Sequence, residues 1–185
     1  MLARAWLAAV VAGFFMVIAY GIADDLGLLA PAAPALAPAS RHARADIPAG
    51  YLRWYQQAAR TCPGLGWTVL AAVGKVESDH GRAKLPGVRS GANRAGAAGP
   101  MQLGIGGRAG RTWQRYGTDG NRDGRVSVYD PRDAIPAAAR KLCRDGAGRP
   151  GGLRRALYAY NHSGVYVARV LRVARRYQAR PGAAR

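Results

Sequence analysis

From Ile47 onward, the sequence predicts an all-α domain that contains one long loop region and one turn-rich segment. Apolar residues recur at steps of three and four positions in successive stretches, which is the period of an amphipathic helix. The chain has neither an alternation of strands and helices nor an internal repeat, so the pattern does not indicate a parallel sheet. The stretch between Gly81 and Arg111 is rich in Gly, Ala and Arg. It shows neither the helical spacing of apolar residues nor the alternation of a strand, so it is expected to form the long loop.

Each predicted helix has one apolar face that is expected to pack into the core. In chain order, these faces consist of Tyr51, Tyr55 and Ala59; of Leu70 and Val73, with Glu77 on the same stripe; of Leu153, Leu157 and Tyr160; and of Val167, Val170, Leu171 and Ala174. A further helix is expected over the stretch DAIPAAARKLC. There Asp133 is the expected N-cap, and Pro136 falls in the first turn, where proline is tolerated.

The N-terminal part of the chain is predicted to direct export. The run from Trp6 to Ala23 carries no charge and is about long enough to cross a bilayer. Small residues such as those ending at Ala37 would permit cleavage, so the protein is expected in the cell envelope, either membrane-anchored or secreted. The predicted segments are a signal peptide or membrane anchor (1–23), an extended Ala/Pro-rich linker (24–46), the folded domain (47–180) and a C-terminal tail (181–185).

The composition is strongly basic. The chain carries 28 Lys and Arg against 10 Asp and Glu, which gives a formal net charge of +18. Such a surface attracts polyanions, including the anionic polymers of a bacterial wall, although a base-rich genome would enrich arginine as well. Nucleic acid is not expected as a partner, because the sequence contains no recognisable nucleic-acid-binding motif and the chain is predicted to be exported.

The cysteines are Cys62 and Cys143. In an exported protein an isolated pair favours a disulfide, and the ligand spacing of a metal site is absent. Two buried thiols are the alternative. A bridge between positions 81 apart would stabilise the fold by roughly 4 to 5 kcal/mol, because it restricts the unfolded chain.

Glu77 is the candidate catalytic residue. It continues the stripe of Leu70 and Val73, so it is expected on the buried side of its helix, near the end. Burial without a cationic partner raises the pKa of a carboxyl, which suits a general acid near neutral pH. The stripe alone is also consistent with an ordinary solvated glutamate at a helix end. Asp79 lies two positions further and points elsewhere if the helix continues, so a site with a single carboxylate is expected.

The order of several motifs resembles a known enzyme family. The chain contains VESDHGR, GAAGPMQLG, DGNRDGRVSVYD, DAIPAAARKLC and YAYNHSGVYVARVL, in this order. The series resembles lytic transglycosylases of the membrane-bound B type, especially their actinobacterial relatives, over residues 47–178. The resemblance implies a lysozyme-like helical domain with a long active-site loop, which cleaves the MurNAc–GlcNAc bond of peptidoglycan.

The resemblance also implies roles for individual residues. Glu77 resembles the catalytic acid/base of the family. The implied substrate-binding residues are Ser78, Met101, Gln102, Tyr160 and Asn161. Amide and aromatic side chains of this kind suit the polar groups and flat faces of sugars. The sequence departs from the family after GPMQ, where LGIGG replaces an aromatic residue and a Pro-Ser turn, and His80 is expected to be a solvated residue at the helix end.

The segment from Asp119 to Asp130 follows the template of an EF-hand calcium loop, and related transglycosylases of this type carry such a loop. The expected ligands are Asp119, Asn121, Asp123, Arg125 through its carbonyl, Ser127 and Asp130. Position twelve is Asp rather than the longer Glu, and nearby arginines oppose a cation, so a solvated Asp/Gly turn is the alternative. Calcium is expected to have a structural role, and no organic cofactor is expected.

The expected activity is therefore that of a peptidoglycan lytic transglycosylase. A lone glutamate would protonate the glycosidic oxygen and then deprotonate the MurNAc C6 hydroxyl, which gives 1,6-anhydroMurNAc. The alternatives are a muramidase (hydrolase) that resembles goose-type lysozymes and a non-catalytic wall-binding module. The expected partners are peptidoglycan glycan strands, anionic wall polymers and, if the N-terminal segment is retained, the membrane.

Overall fold

The computed structural model describes residues 38–178, and this part of the chain is mostly α-helical, as predicted. The helices are α1 (Arg41–Asp46), α2 (Ala49–Ala59), α3 (Trp67–Ser78), α4 (Thr112–Tyr116), α5 (Pro131–Arg144), α6 (Leu153–Asn161) and α7 (Gly164–Tyr177). The long loop between α3 and α4 contains a short antiparallel hairpin, β1 (Ala97–Ala98) and β2 (Leu103–Gly104), and a 3-10 turn at Gly107–Ala109. The all-α prediction is confirmed, whereas the hairpin was not predicted.

Helix α3 is the centre of the core. Its residues from Trp67 to Gly74 are all buried, and it packs against α2, α5 and α7. A helix enclosed on several sides needs apolar residues around its whole circumference, which the sequence WTVLAAVG provides. The surrounding helices are amphipathic and bury only one face each, as the spacing of their apolar residues predicts.

Gly74 allows α2 to lie close to α3. A Cβ atom at this position would lie 2.0 Å from the hydroxyl oxygen of Tyr55, which is fully buried on α2. A side chain of any size would therefore force the two helices apart or expel the tyrosine hydroxyl. The glycine lies on the same helix as Glu77, so this close packing fixes the helix that carries the candidate acid.

A disulfide joins Cys62, just beyond α2, to Cys143 in the last turn of α5, with 5.7 Å between the Cα atoms. The predicted pairing is confirmed. The bridge covalently links the end of α2 to the end of α5. These two helices pack against each other, and both contact α3.

Residues 41–46, which were assigned to the extended linker, form helix α1. The hydroxyl of Ser40 accepts a hydrogen bond from the amide of Ala43 (3.0 Å), and Ala43 is fully buried. The amide of Ser40 donates to the carbonyl of Tyr177 at the end of α7 (3.1 Å). A helix of this length is not stable alone, so these tertiary contacts explain why the composition did not predict it.

Helix α5 begins earlier than expected. Its N-cap is Asp130, whose side chain accepts a hydrogen bond from the amide of Arg132 (2.8 Å), and Pro131 occupies the first helical position. The prediction that Asp133 is the N-cap is wrong. Asp133 is buried in the first turn, where its carboxylate accepts hydrogen bonds from the amides of Gly120 (2.8 Å) and Ser127 (2.9 Å).

The predicted export segment (1–23) and the C-terminal tail (181–185) lie outside the described residues. Within residues 38–178, every helix is too short or too polar to cross a bilayer.

Candidate active site

The candidate acid, Glu77, lies in the last turn of α3, which ends in a tightly fixed loop. Asp79 and His80 both adopt left-handed backbone conformations, with φ of 53° and 55°. The hydroxyl of Ser78 donates a hydrogen bond to the carbonyl of Pro100 (2.6 Å) and accepts one from the amide of Gly81 (2.8 Å). The end of α3 is therefore attached to the hairpin that follows it in the chain.

Glu77 opens onto a cavity of about 320 Å³. The rest of the wall comes from the long loop between α3 and α4, the start of α4, α5 and the end of α6. Its polar and charged residues include Asn93, Gln102, Arg108, Lys141, Tyr160 and Asn161. Among the described residues that line this cavity, Glu77 is the only carboxylate. The structure thus brings together the predicted residues Glu77, Gln102, Tyr160 and Asn161, which are far apart in the sequence.

The environment of Glu77 favours its protonated form. Burial raises the pKa of this carboxyl to about 7, and a weaker interaction with the hydroxyl of Tyr166 opposes the increase. Tyr166 is buried on α7, and its hydroxyl has no well-formed hydrogen bond within residues 38–178. The hydroxyl of Tyr166 can therefore donate a hydrogen bond to Glu77 when the carboxyl is ionised and accept one when it is protonated.

Tyr160 and Tyr166 form one aromatic wall next to Glu77. Their rings are nearly parallel, with an interplanar angle of 5° and 6.4 Å between the centroids. The hydroxyl of Tyr160 donates a hydrogen bond to the carbonyl of Met101 (2.8 Å), and the ammonium group of Lys141 lies 5.3 Å from the centre of the Tyr160 ring. These contacts hold the flat face of Tyr160 in place at the cavity.

The amide of Gln102 is held by the loop on which it lies. Its Nε2 donates to the carbonyl of Gly99 (2.9 Å), and its Oε1 accepts from Nδ2 of Asn93 (2.9 Å). The Oδ1 atom of Asn93 in turn accepts hydrogen bonds from the amides of Ala95 (2.8 Å) and Ala97 (3.0 Å). The amide group of Gln102 is therefore oriented before any ligand binds, and it keeps one free donor and one free acceptor position.

Two of the predicted substrate-binding residues do not line the cavity. Met101 is fully buried in the core, and Ser78 is buried and uses its hydroxyl to connect α3 to Pro100. Their side chains therefore do not reach the cavity, and substrate binding by these two residues stays a prediction. Both residues instead support the residues next to them in the sequence, Glu77 and Gln102, which reach the cavity.

His80 is not a solvated residue at a helix end, as expected, but is almost fully buried. Its Nδ1 lies 3.0 Å from the hydroxyl of Tyr55, and its Nε2 lies 3.1 Å from the hydroxyl of Tyr177. Tyr177 donates its proton to Asp46 (2.6 Å), so Nε2 of His80 must be the donor to Tyr177, and Nδ1 accepts from Tyr55. Burial lowers the pKa of His80 to about 4, which agrees with this neutral form.

Asp79 does not contribute to the cavity. Its carboxylate forms ion pairs with Arg82 (2.8 Å) and Lys75 (2.7 Å), and the hydrogen bond from Arg82 holds its pKa below the usual value. Lys75 and Arg82 also pair with Asp46 at the end of α1. This cluster attaches α1 to the end of α3 on the side away from the cavity lining.

The predicted calcium loop has the backbone turns of its template. Gly124 has a φ of +80°, and the carboxylate of Asp119 accepts hydrogen bonds from the amides of Asp123 (3.1 Å) and Gly124 (2.8 Å). Asp130, however, pairs with the guanidinium of Arg132, which also lies 3.5 Å from Asp123. No cluster of three or more acidic, His or Cys side chains within residues 38–178 is arranged to hold a metal ion.

Several residues of the site were not predicted from the sequence: Asn93, Arg108, Lys141 and Tyr166. Tyr166 lies five positions after Asn161 within the last quoted motif, so the motif contained a signal for it. Asn93 and Arg108 lie in the long loop between α3 and α4. Apolar residues have no regular spacing there, so the sequence does not indicate which side chains face the cavity.

No protein-family model matches the sequence, and no curated protein sequence matches it either. Solved structures do match. The described fold is similar to Escherichia coli lytic transglycosylase Slt35 in complex with bulgecin A, with a TM-score of 0.54 and 14% identity over 74% of this chain and 76% of that one. The same enzyme in complex with calcium matches with a TM-score of 0.54 and 14% identity over 74% and 77% of the two chains. The chain thus has a lysozyme-like fold.

Proposed function

We propose that this protein is a peptidoglycan lytic transglycosylase that uses Glu77 as its single acid/base. One observation carries the proposal: Glu77 is the only carboxylate among the described residues of the cavity, and burial raises its pKa to about 7. A carboxyl with this pKa holds its proton often enough near neutral pH to act as a general acid. The similarity of the fold to Slt35 supports the same activity.

The proposed reaction begins with protonation of the glycosidic oxygen by Glu77. The bond between this oxygen and C1 of MurNAc breaks, while the acetamido group of the sugar stabilises the positive charge at C1. Glu77, now a carboxylate, removes the proton from the C6 hydroxyl of the same MurNAc, and O6 bonds to C1. Because this attack is intramolecular, it needs no positioned water and no second carboxylate. The product ends in 1,6-anhydroMurNAc, and Glu77 is again protonated.

The other cavity residues would bind and orient the sugars. The amides of Gln102 and Asn161 offer paired donors and acceptors to hydroxyl and acetamido groups, and Tyr160 offers a flat apolar face. The hydroxyl of Tyr166 would assist Glu77 by donating to its carboxylate after the first proton transfer. The order of the sequence motifs supports, within this proposal, a place among the membrane-bound B type and its actinobacterial relatives.

We also propose that the loop Asp119–Asp130 binds calcium in a structural role. The residues that would hold the ion are Asp119, Asn121, Asp123, the carbonyl of Arg125, Ser127 and Asp130. The loop fits in its turns, because the carboxylate of Asp119 accepts hydrogen bonds from the amides of Asp123 and Gly124, and that of Asp123 accepts one from the amide of Arg125. Asp130 would have to exchange the guanidinium of Arg132 for the ion. Calcium would supply positive charge that neutralises these acidic side chains. One Slt35 structure is a complex with calcium, which supports the assignment.

The proposed place of action is the cell envelope, which the uncharged run from Trp6 to Ala23 and the excess of basic residues both support. An exported enzyme would meet its substrate there, and the net charge of +18 would favour contact with an anionic wall.

Mass spectrometry of the soluble products from purified sacculi tests the proposal. We expect fragments that end in 1,6-anhydroMurNAc, each lighter by one water than the corresponding hydrolysis product. Fragments with a reducing-end MurNAc would instead identify a hydrolase similar to goose-type lysozymes. Binding to sacculi without any release of fragments would identify a wall-binding module.

A further inference from the structure

A second groove, of about 630 Å³, adjoins the cavity. The two share Thr112, Lys141 and Ala159 in their walls, so they are immediate neighbours on the protein surface. The groove extends along α4 and the end of α5, and its polar residues also include Arg111, Gln114, Arg115 and Asp145. A strand bound in the cavity could therefore bring a group attached to it to the groove.

The groove is positively charged. Asp145, its only acidic residue among those described, forms an ion pair with Lys141 (2.7 Å). Arg111 and Arg115 are exposed and have no carboxylate partner within residues 38–178. Two guanidinium groups thus face the groove with their charges uncompensated, and guanidinium is the side chain best suited to paired hydrogen bonds with a carboxylate.

Lys141 marks the junction between the cavity and the groove. Besides its ion pair with Asp145, its ammonium group donates to the carbonyl of Ala159 (3.2 Å) and lies over the ring of Tyr160. These contacts hold the lysine in place, and because its charge is paired with Asp145, the unpaired positive charge of the groove comes from Arg111 and Arg115.

We propose that this groove binds carboxylate groups of the peptide stems on the glycan strand. The proposal rests on the function proposed above. Every MurNAc unit can carry a peptide on its lactyl group, and each free stem ends in carboxylates. A strand with its scissile bond at Glu77 brings such a stem to the neighbouring protein surface. Because the groove lies directly beside the cavity, it favours a ligand that belongs to the same strand over a separate anionic polymer.

The double variant Arg111→Gln/Arg115→Gln tests the proposal in the purified full chain. Its cleavage of sacculi with intact stems is compared with its cleavage of strands from which an amidase has removed the stems. We expect KM to rise by about 3- to 10-fold on the stem-bearing substrate, because each exposed pair contributes modestly, and to stay unchanged on bare strands. The control is Arg169→Gln/Arg172→Gln, which removes the same charge from exposed positions of α7.

Equal changes in KM on both substrates, or no change on either, would overturn the proposal. A rise that disappears once anionic wall polymers are stripped from the sacculi, with the stems left in place, would assign the groove to those polymers and also overturn it. Failure of the proposed function is a separate outcome, because the unmodified protein would then release either no fragments or fragments that end in a reducing-end MurNAc.

Discussion

The hydroxyl of Tyr160 donates a hydrogen bond of 2.8 Å to the carbonyl of Met101, which lies 59 positions earlier in the chain. The bond joins the end of α6 to the turn between β1 and β2, and Gln102 follows Met101 directly in that turn. Ser78 connects the same turn to the end of α3 through the carbonyl of Pro100. The segment 100–102 is thus attached both to α3, which carries Glu77, and to α6, which carries Tyr160, and this arrangement sets the separation of the two helices.

Replacement of Glu77 by Gln is expected to lower the rate of fragment release by about 100- to 10,000-fold, because the amide cannot donate a proton to the leaving oxygen. Binding to sacculi should be retained, since the amide has nearly the same shape. Release of fragments and pull-down with sacculi measure the two effects. The control is Asp79→Asn, which alters a nearby carboxylate that does not line the cavity and should keep most of the activity. Undiminished cleavage by the Gln variant would remove Glu77 from the mechanism.

The same variant should be more stable than the unmodified protein at alkaline pH. The folded state raises the pKa of Glu77 from 4.5 to about 7, so it binds more protons than the unfolded state between these values. The free energy of unfolding therefore falls as the pH rises from 4.5 to 7, by up to about 3 kcal/mol, and Glu77→Gln lacks this loss. Thermal unfolding should give similar melting temperatures for both proteins near pH 4.5 and a higher one for the variant at pH 8. Parallel curves at all pH values would contradict the raised pKa.

Replacement of Tyr166 by Phe should shift the pH dependence of the reaction. The general acid must be protonated, so activity is expected to fall as the pH rises through about 7. The hydroxyl of Tyr166 lowers the pKa of Glu77, so its removal should move this decline to higher pH. The ring remains and the hydroxyl has no other well-formed partner within residues 38–178, so stability should change little. Tyr158→Phe, at an exposed position, is the control, and an unmoved profile in Tyr166→Phe would exclude the proposed assistance.

Calcium is expected to raise the melting temperature, because a ligand that binds only the folded state stabilises it by mass action. Asp123→Ala should abolish this increase. Arg132→Gln should bind calcium more tightly by calorimetry, since the guanidinium that pairs with Asp130 no longer competes, and it should melt at a lower temperature in a chelator. Identical melting curves of the unmodified protein with calcium and with chelator would favour a solvated turn.

Much of the fold follows from patterns within single elements. The spacing of Leu70 and Val73 predicted both the helix α3 and the buried side on which Glu77 lies. The pairing of Cys62 with Cys143 followed from their number and the predicted export. Such predictions succeed because the period of apolar residues reports directly which face of a helix is buried.

Other features depended on contacts between distant segments. Helix α1 exists because Ser40 and Asp46 find partners at the ends of α7 and α3, since the local cap by Ser40 does not suffice for so short a helix. The prediction that His80 is solvated failed for the same reason. The residue follows the end of its helix, but Tyr55 and Tyr177 from two other helices enclose it.

The sequence by itself thus determined the helices, the disulfide and the position of one carboxylate near the end of a buried helix. Only the tertiary structure decided that Tyr166 lies beside Glu77, that Met101 and Ser78 support the cavity without lining it, and that Asp79 is bound in ion pairs elsewhere. The physical reason is that periodicity describes the burial of one element at a time. The partner of a side chain and the pKa that results depend on which other elements pack around it.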